Sequence, residues 1–173
     1  MTRAGVYMTK SIDEILAITE PAAFADAIIA FVNDKQIAHS FESLTATEKI
    51  VLLACDCSYR LVRGGLLDPL FNPGREWRDA MLAALHEIGA THAERILGTA
   101  ATLVDAIPEE QARRADTLGD VMTLAGEDKL EALSQELRSS GAQAQIDRQL
   151  FSYIVQHRAR FRTVTGTNDS TCS

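Results

Sequence analysis

Histidines close to a carboxylate are the first candidates for chemistry in this chain. His86, Glu87 and His92 superficially resemble the zinc-binding helix of metalloproteases, in which two histidines lie four residues apart on one face. Here the two histidines are six residues apart, and Gly89 interrupts the helix between them. We therefore predict no metal site. His86 is instead expected to interact with the C-terminal dipole of its helix.

Nucleophiles and phosphate-binding loops give no better match. Cys55 and Cys57 lie two residues apart in a predicted helix, so their side chains point in different directions and make a poor metal clip. Gly64-Gly65 is not a phosphate loop, because no strand precedes it and no Gly-Lys-Ser/Thr follows it. The pairs Glu109-Glu110 and Glu127-Asp128 have the polar neighbours typical of a solvated surface. No catalytic residue, metal ligand or cofactor is predicted, and we do not expect an enzyme.

The composition is that of one intracellular domain. The chain has 173 residues, 46% of them hydrophobic, which is enough for one domain with its own core. No apolar run approaches the roughly 20 residues that span a bilayer, and Met1–Lys10 lacks the pattern of a signal peptide. An odd number of cysteines argues against a disulfide framework. We predict a cytoplasmic protein with a flexible N-terminus (1–10), one helical domain (11–161) and a disordered tail (162–173).

Capping and stop signals divide the domain into helices. A Ser or Thr followed three residues later by Glu is a capping box, and this pattern predicts helix starts at Ser11, Thr45 and Thr91. Gly64-Gly65 and Gly89 predict helix ends, because glycine costs about 1 kcal/mol inside a helix and is favoured just beyond one. No segment alternates as a strand does. The predicted fold class is all-α, a single-domain helical bundle of about seven to nine helices.

Apolar periodicity predicts which faces are buried. The helix that begins after Thr45 has an apolar face that continues to Leu61 and Val62. Two further helices are predicted over residues 22–33 and 144–161. The apolar stripe of the second includes His157, which we interpret as a core or boundary residue.

Two segments carry more than the whole net charge of −7. Ser11–Asp34 contains five acids and no Lys or Arg, and Asp105–Glu136 contains nine acids against three basic residues. A protein that binds DNA needs Lys and Arg to replace the counterions on the phosphates. Direct nucleic-acid binding is therefore disfavoured, and a basic protein partner is favoured.

Several segments match a family signature. They are Gly64–Asn72, Ala83–Ala90, Ala93–Leu97 and Leu150–Ile154, followed by His157 and Phe161. In these segments the chain resembles a bacterial family of helical proteins, first catalogued as a domain of unknown function, that includes a DNA mimic. The resemblance covers about Thr45 to Phe161. Arg63 stands where the family usually has Asn, and Leu66 where it has Phe, and these departures concern the fold more than the activity.

The resemblance implies a homodimeric, non-enzymatic protein that occupies the DNA-binding face of a basic partner, such as a transcription factor, and so regulates transcription. Duplex DNA carries one charge per roughly 1.7 Å, so the acidic segments together would match about 19 Å of duplex if they lay on one face. That length is little for a monomer and makes mimicry electrostatically possible for a dimer. The acids that we expect to form the partner-binding surface are Asp13, Glu14, Glu20, Asp26, Asp105, Glu109, Glu110, Asp116 and Asp120. We assign Gly64, Gly65, Trp77 and Gly89 to the fold.

Two other functions stay open at this stage. One is a protein-interaction or immunity-type role with an ordinary acidic surface, and the other is an enzyme. Acidic patches lying coplanar across a dimer would favour mimicry, whereas acids around an apolar groove would favour a partner unrelated to DNA. A deep pocket that holds His86, His92 or His157 beside a buried carboxylate would favour an enzyme.

Overall fold

The computed structural model describes residues 10–115 and 117–161, and every regular element in those ranges is helical. This confirms the all-α fold. The predicted tail, and the predicted N-terminus apart from Lys10, lie outside the described residues. The α-helices are α1 (Ile12–Leu16), α2 (Pro21–His39), α3 (Ala46–Gly64), α4 (Asp68–Phe71), α5 (Arg75–Glu87), α6 (Thr91–Asp105), α7 (Glu109–Ala112), α8 (Leu118–Ala125), α9 (Glu127–Ser139) and α10 (Ala142–Gln156). The described residues form ten α-helices, one more than the upper end of the prediction.

Two of the three predicted capping boxes are confirmed. Ser11 caps α1 and Thr45 caps α3, each with its Glu three residues on. The box at Thr91 is wrong, because Ala90 is the N-cap and Thr91 is already the first residue of α6. Gly89, with φ 79°, directly follows Ile88, the C-cap of α5, and directly precedes Ala90. The N-cap position of α6 is therefore an alanine, which has no side-chain acceptor. Thr117 caps α8 through a box that the sequence analysis missed.

The two glycines at the end of α3 have different roles. Gly65 has φ 69°, in the left-handed region that glycine adopts without the steric cost of a Cβ. Gly64 has ordinary helical geometry, but a Cβ on it would lie 2.5 Å from the Cβ of Asp68. The start of α4 therefore packs directly onto the backbone of α3. Leu66 and Leu67, between the two helices, are buried in the core.

The core forms around α3 and α10. Helix α3 packs against α2, α4, α5 and α10, and helix α10 packs against α2, α3, α6 and α9. Their contact surfaces include Val51, Ala54 and Ile154, which are fully buried. One prediction about α3 is wrong, since Val62 is 66% exposed although it continues the apolar face. Leu61 beside it is 5% exposed, whereas Val62 lines an open space between α2, α3 and α10.

The two helices predicted from periodicity have different bounds. Helix α2 begins at Pro21 and continues six residues past Asn33, to His39. The added residues contain no Gly or Pro that would end a helix, and the helix ends at Ser40, which has φ 83°. Helix α10 ends at Gln156, and the remainder of the predicted helix is a 3₁₀ turn, Arg158–Phe161.

Candidate partner-binding surface

The acids of α1 and α2 lie at the protein surface. Among the described residues, no Lys, Arg or His forms an ion pair with any acid between Ser11 and Asp34. Asp13 and Asp26 are exposed. This segment therefore presents its negative charge to solvent.

Three of these carboxylates follow one side of α2, and we call Glu20, Asp26 and Asp34 the α2 acidic stripe. At 3.6 residues per turn they lie within about 120° of one another around the helix axis, and they span about 21 Å along it. All three residues are exposed. One DNA strand carries about six phosphates over that length, so the stripe has about half the charge density of a strand.

Two acids of this segment also have structural roles. The carboxylate of Glu20 accepts hydrogen bonds from the backbone N–H groups of Ala23 and Ala22, and that of Glu14 accepts from the backbone and hydroxyl of Ser11. Hydrogen bonds to the charged form lower the pKa of both groups, those from the backbone most strongly. Both acids thus stay ionised while they cap a helix.

Asp105 differs from these acids, because its charge is matched inside the protein. Its carboxylate accepts two hydrogen bonds of 2.9 Å from the buried guanidinium of Arg78 and forms a 2.9 Å ion pair with Arg75. The hydrogen bond from Arg78 is the main cause of a lowered pKa for Asp105, with a smaller contribution from Arg75. Asp105, a predicted partner-binding acid, therefore links the end of α6 to α5.

The predicted surface acids of α7 are paired as well. Glu109 pairs with Arg113, and Glu110 pairs with Arg114 at 2.6 Å, each four residues further on. All four side chains are at least 75% exposed, so these pairs are weak and salt-sensitive.

The other two predicted acids lie around the start of α8. Asp120 is the third residue of α8, and its carboxylate accepts hydrogen bonds from the backbone and hydroxyl of Thr117. Asp116 lies outside the described residues.

Basic side chains from the flanking sequence reduce the negative charge of the second acidic segment. In addition to Arg75 and Arg78, Arg95 contacts Glu136 and Arg138 contacts Glu131 at 2.9 Å. The sequence count of nine acids against three bases therefore overstates the charge that this segment presents.

The two acidic segments lie on elements that meet through α10. Helix α2 packs on α1, α3 and α10, whereas α9 packs on α6, α8 and α10. The structure thus brings the predicted acids together in two groups, one on α1 and α2 and one around α6 to α8. We conclude that the α1 and α2 group is the stronger candidate for binding a basic partner.

His86 and His157, two candidates for an enzyme site, lie in different surroundings. His86 is exposed and lies 3.2 Å from the carboxylate of Glu94, and His157 stacks on Tyr153 at a centroid distance of 4.2 Å. The fully buried carboxylate, Glu48, pairs with Lys35 at 2.8 Å instead.

The sulfhydryl groups of α3 lack an activating environment. Burial raises the pKa of Cys55 and of Cys57 to about 12. In the described part of the chain, no three His, Cys, Asp or Glu side chains form a cluster that could hold a metal ion. None of the described helices is long and apolar enough to cross a membrane.

The sequence analysis missed one surface feature, an open hollow between α2, α3 and α10. Tyr59, Val62 and Phe151 line it and remain 57%, 66% and 38% exposed. The available sequence signal was a second apolar stripe on α3, formed by Cys55, Tyr59 and Val62 at helical spacing. Asp26, predicted as a partner-binding acid, lies at its edge.

The described residues thus form an all-α protein with exposed acids on α1 and α2. The family model of the DMP19-like proteins matches residues 42–157, and the chain belongs to that family. Neither a curated protein nor a solved structure matches it. The matched region contains the double glycine and the closing helix α10, but it excludes α1 and α2.

Proposed function

We propose that this chain is a non-enzymatic DNA mimic that binds the DNA-binding face of a basic protein, such as a transcription factor, and blocks DNA binding. The observation that carries this proposal is the absence of any ion pair to the α1 and α2 acids among the described residues. Membership of a family that includes a DNA mimic supports it.

Charge density supports a dimer as the active form. The five charges of Ser11–Asp34 match only about 8 Å of duplex, at one charge per roughly 1.7 Å. A symmetric homodimer would present the same surface twice and double that length. We therefore propose a homodimer, acting in the cytoplasm on a regulator of transcription. Sedimentation at several protein concentrations tests the dimer separately from the binding.

The experiment is a pull-down from cytoplasmic extract at low salt, followed by a salt gradient with duplex DNA as competitor. A mimic is expected to retain a basic DNA-binding protein that both salt and duplex DNA displace. The variant Asp26→Lys/Asp34→Lys reverses two exposed charges of the stripe that form no ion pair with a described residue, and it is expected to abolish retention. Circular dichroism checks that the variant stays helical.

Two control variants make this test specific. Glu76→Lys/Glu87→Lys changes the net charge equally, at exposed acids of α5 for which the described residues offer no ion-pair partner, and it should retain the partner. Glu109→Lys/Glu110→Lys compares the paired acids of α7 and should weaken retention less than the stripe variant does. Retention by the stripe variant, or a captured partner indifferent to DNA, would count against mimicry.

A further inference from the structure

The hollow between α2, α3 and α10 has an apolar lining that the fold leaves uncovered. Ile29 of α2, Tyr59 and Val62 of α3 and Phe151 of α10 line a space of about 450 Å³. Helices α3 and α10 already bury another face in the core, through residues such as Ala54 and Ile154. Tyr59, Val62 and Phe151 are additional to the core, and contiguous exposed apolar surface of this kind marks interaction sites.

The rim of the hollow carries negative charge only. Asp26 on α2 has no hydrogen-bond or ion-pair partner among the described residues, and Asp147 on α10 accepts one hydrogen bond, from the Ser58 hydroxyl at 2.7 Å. No Lys or Arg belongs to the lining. The nearby guanidinium of Arg63 is engaged, since it donates to the Tyr59 hydroxyl at 2.7 Å. An occupant that neutralised both carboxylates would therefore be basic.

The chemistry of the walls also determines how an occupant binds. Helices satisfy their own backbone hydrogen bonds, so these walls cannot accept an added β-strand, and recognition depends on side chains. An amphipathic helix places its apolar face in such a groove through residues spaced i, i+3, i+4 and i+7. Basic residues beside that face would reach Asp26 and Asp147, which lie on different helices.

A second copy of this chain fits the hollow poorly. It would bring its own Asp26 and Asp147 and a net charge of −7. Its most basic described segment follows α10, where Arg158 already donates to the carbonyl oxygens of Leu16 and Ile18 and lies over the ring of Phe24. A separate partner therefore matches the charge of the rim better.

We propose that this hollow binds a basic amphipathic helix of a partner protein, with apolar anchors on Ile29, Val62 and Phe151 and with Lys or Arg paired to Asp26 and Asp147. This site goes beyond the proposed DNA mimicry, because most of its binding surface is apolar. It shares Asp26 with the α2 acidic stripe, but it uses neither Glu20 nor Asp34.

The test measures fluorescence anisotropy with a labelled synthetic peptide of about 14 residues, roughly four helical turns, with Leu on one face and Lys on both flanks. Wild-type protein is expected to bind it. A peptide of the same composition in scrambled order, and one with Glu in place of Lys, should both bind at least roughly tenfold more weakly.

Matched variants locate the site. Val62→Gln and Asp26→Asn/Asp147→Asn are each expected to weaken binding by roughly fivefold or more, because they remove an anchor contact or the paired charges. Ile37→Gln and Asp34→Asn are the controls, since Ile37 is 80% exposed and both residues lie on α2 outside the hollow. Their binding should stay within about twofold of wild type.

Several outcomes would overturn the proposal. Equal binding of the scrambled peptide, or equal losses in the control variants, would mean unspecific attraction. Dissociation of a dimer by Val62→Gln would identify a second copy of the chain as the occupant of the hollow. Peptide binding that begins only after deletion of residues 1–9 would identify this chain's own N-terminus as the occupant. The pull-down with Asp34→Lys alone separates the two proposals, because Asp34 lies outside the hollow. Full retention of the partner by that variant would count against DNA mimicry and not against the peptide site.

Discussion

The guanidinium of Arg78 donates two hydrogen bonds to the carboxylate of Asp105, each 2.9 Å long, and so joins the start of α5 to the end of α6. Arg78 is only 4% exposed, and its charge is compensated mainly by this carboxylate. Asp105 therefore holds two helices together, although the sequence placed it among the acids that face a partner.

The first prediction concerns this ion pair. Asp105→Ala is expected to lower the free energy of unfolding by about 1–3 kcal/mol, because it leaves a buried guanidinium with only Asp79 as a carboxylate partner. Urea unfolding measures the change. Glu109→Ala, which breaks an exposed pair, should cost no more than about 0.5 kcal/mol. Equal costs for the two variants would show that the Arg78 pair is no stronger than a surface contact.

A second prediction separates two glycines in helices. Gly64→Ala is expected to destabilise the protein by about 1–3 kcal/mol, because the new methyl group would overlap the Cβ of Asp68. Gly98, inside α6, has open space around the corresponding position. Gly98→Ala should therefore stabilise the protein by about 0.5–1 kcal/mol through helix propensity and the entropy of the unfolded chain. Thermal unfolding of both variants checks the opposite signs.

A third prediction concerns the loss of stability in acid. Hydrogen bonds lower the folded-state pKa of Glu14, Glu20 and Asp105 below ordinary values of 4.5 for Glu and 3.8 for Asp. Their contribution to stability is therefore complete above those values and is lost as pH falls through the lower folded-state pKa. Urea midpoints should be insensitive to these three groups above about pH 5.5 and should decrease below it.

A substitution at Glu20, the N-cap of α2, tests how much of that acid dependence comes from a helix cap. Glu20→Gln should flatten the decrease in urea midpoint with falling pH, because it removes a carboxylate whose folded-state pKa is lowered. Asp34→Asn, which removes an exposed carboxylate that accepts no hydrogen bond among the described residues, is the control for the loss of one negative charge. An unchanged slope for Glu20→Gln would mean that the cap contributes nothing to the acid dependence.

A fourth prediction concerns the reactivity of the sulfhydryl groups. Burial is the main cause of the pKa of about 12 for both Cys55 and Cys57. The charge of Asp147 also raises the pKa of Cys55, and the charge of Asp56 also raises the pKa of Cys57. The thiolate is the reactive form, so labelling by a disulfide reagent at pH 8 should be much slower than in the unfolded chain. The protein carries Cys172→Ser in this assay, because Cys172 lies outside the described residues. Rapid labelling of the folded protein would contradict the burial of Cys57 and the raised pKa of the half-buried Cys55.

Helix starts and stops were predictable because their causes are local. The boxes at Ser11 and Thr45 each join groups three residues apart, and the stop at Gly65 depends on one backbone angle. The box at Thr91 failed because an equally local signal, the turn at Gly89, lies immediately before it.

The sequence by itself determined that this protein is an acidic, all-helical chain with the signature of its family, since composition and local hydrogen bonding suffice for that. The tertiary structure decided which acids keep their charge toward solvent, because Asp105 meets a guanidinium 27 residues away and Glu136 meets one 41 residues away. It also decided that Val62 lies in an open hollow between three helices. Contacts between distant segments depend on how the helices pack, and the spacing of residues along a single helix carries no information about them.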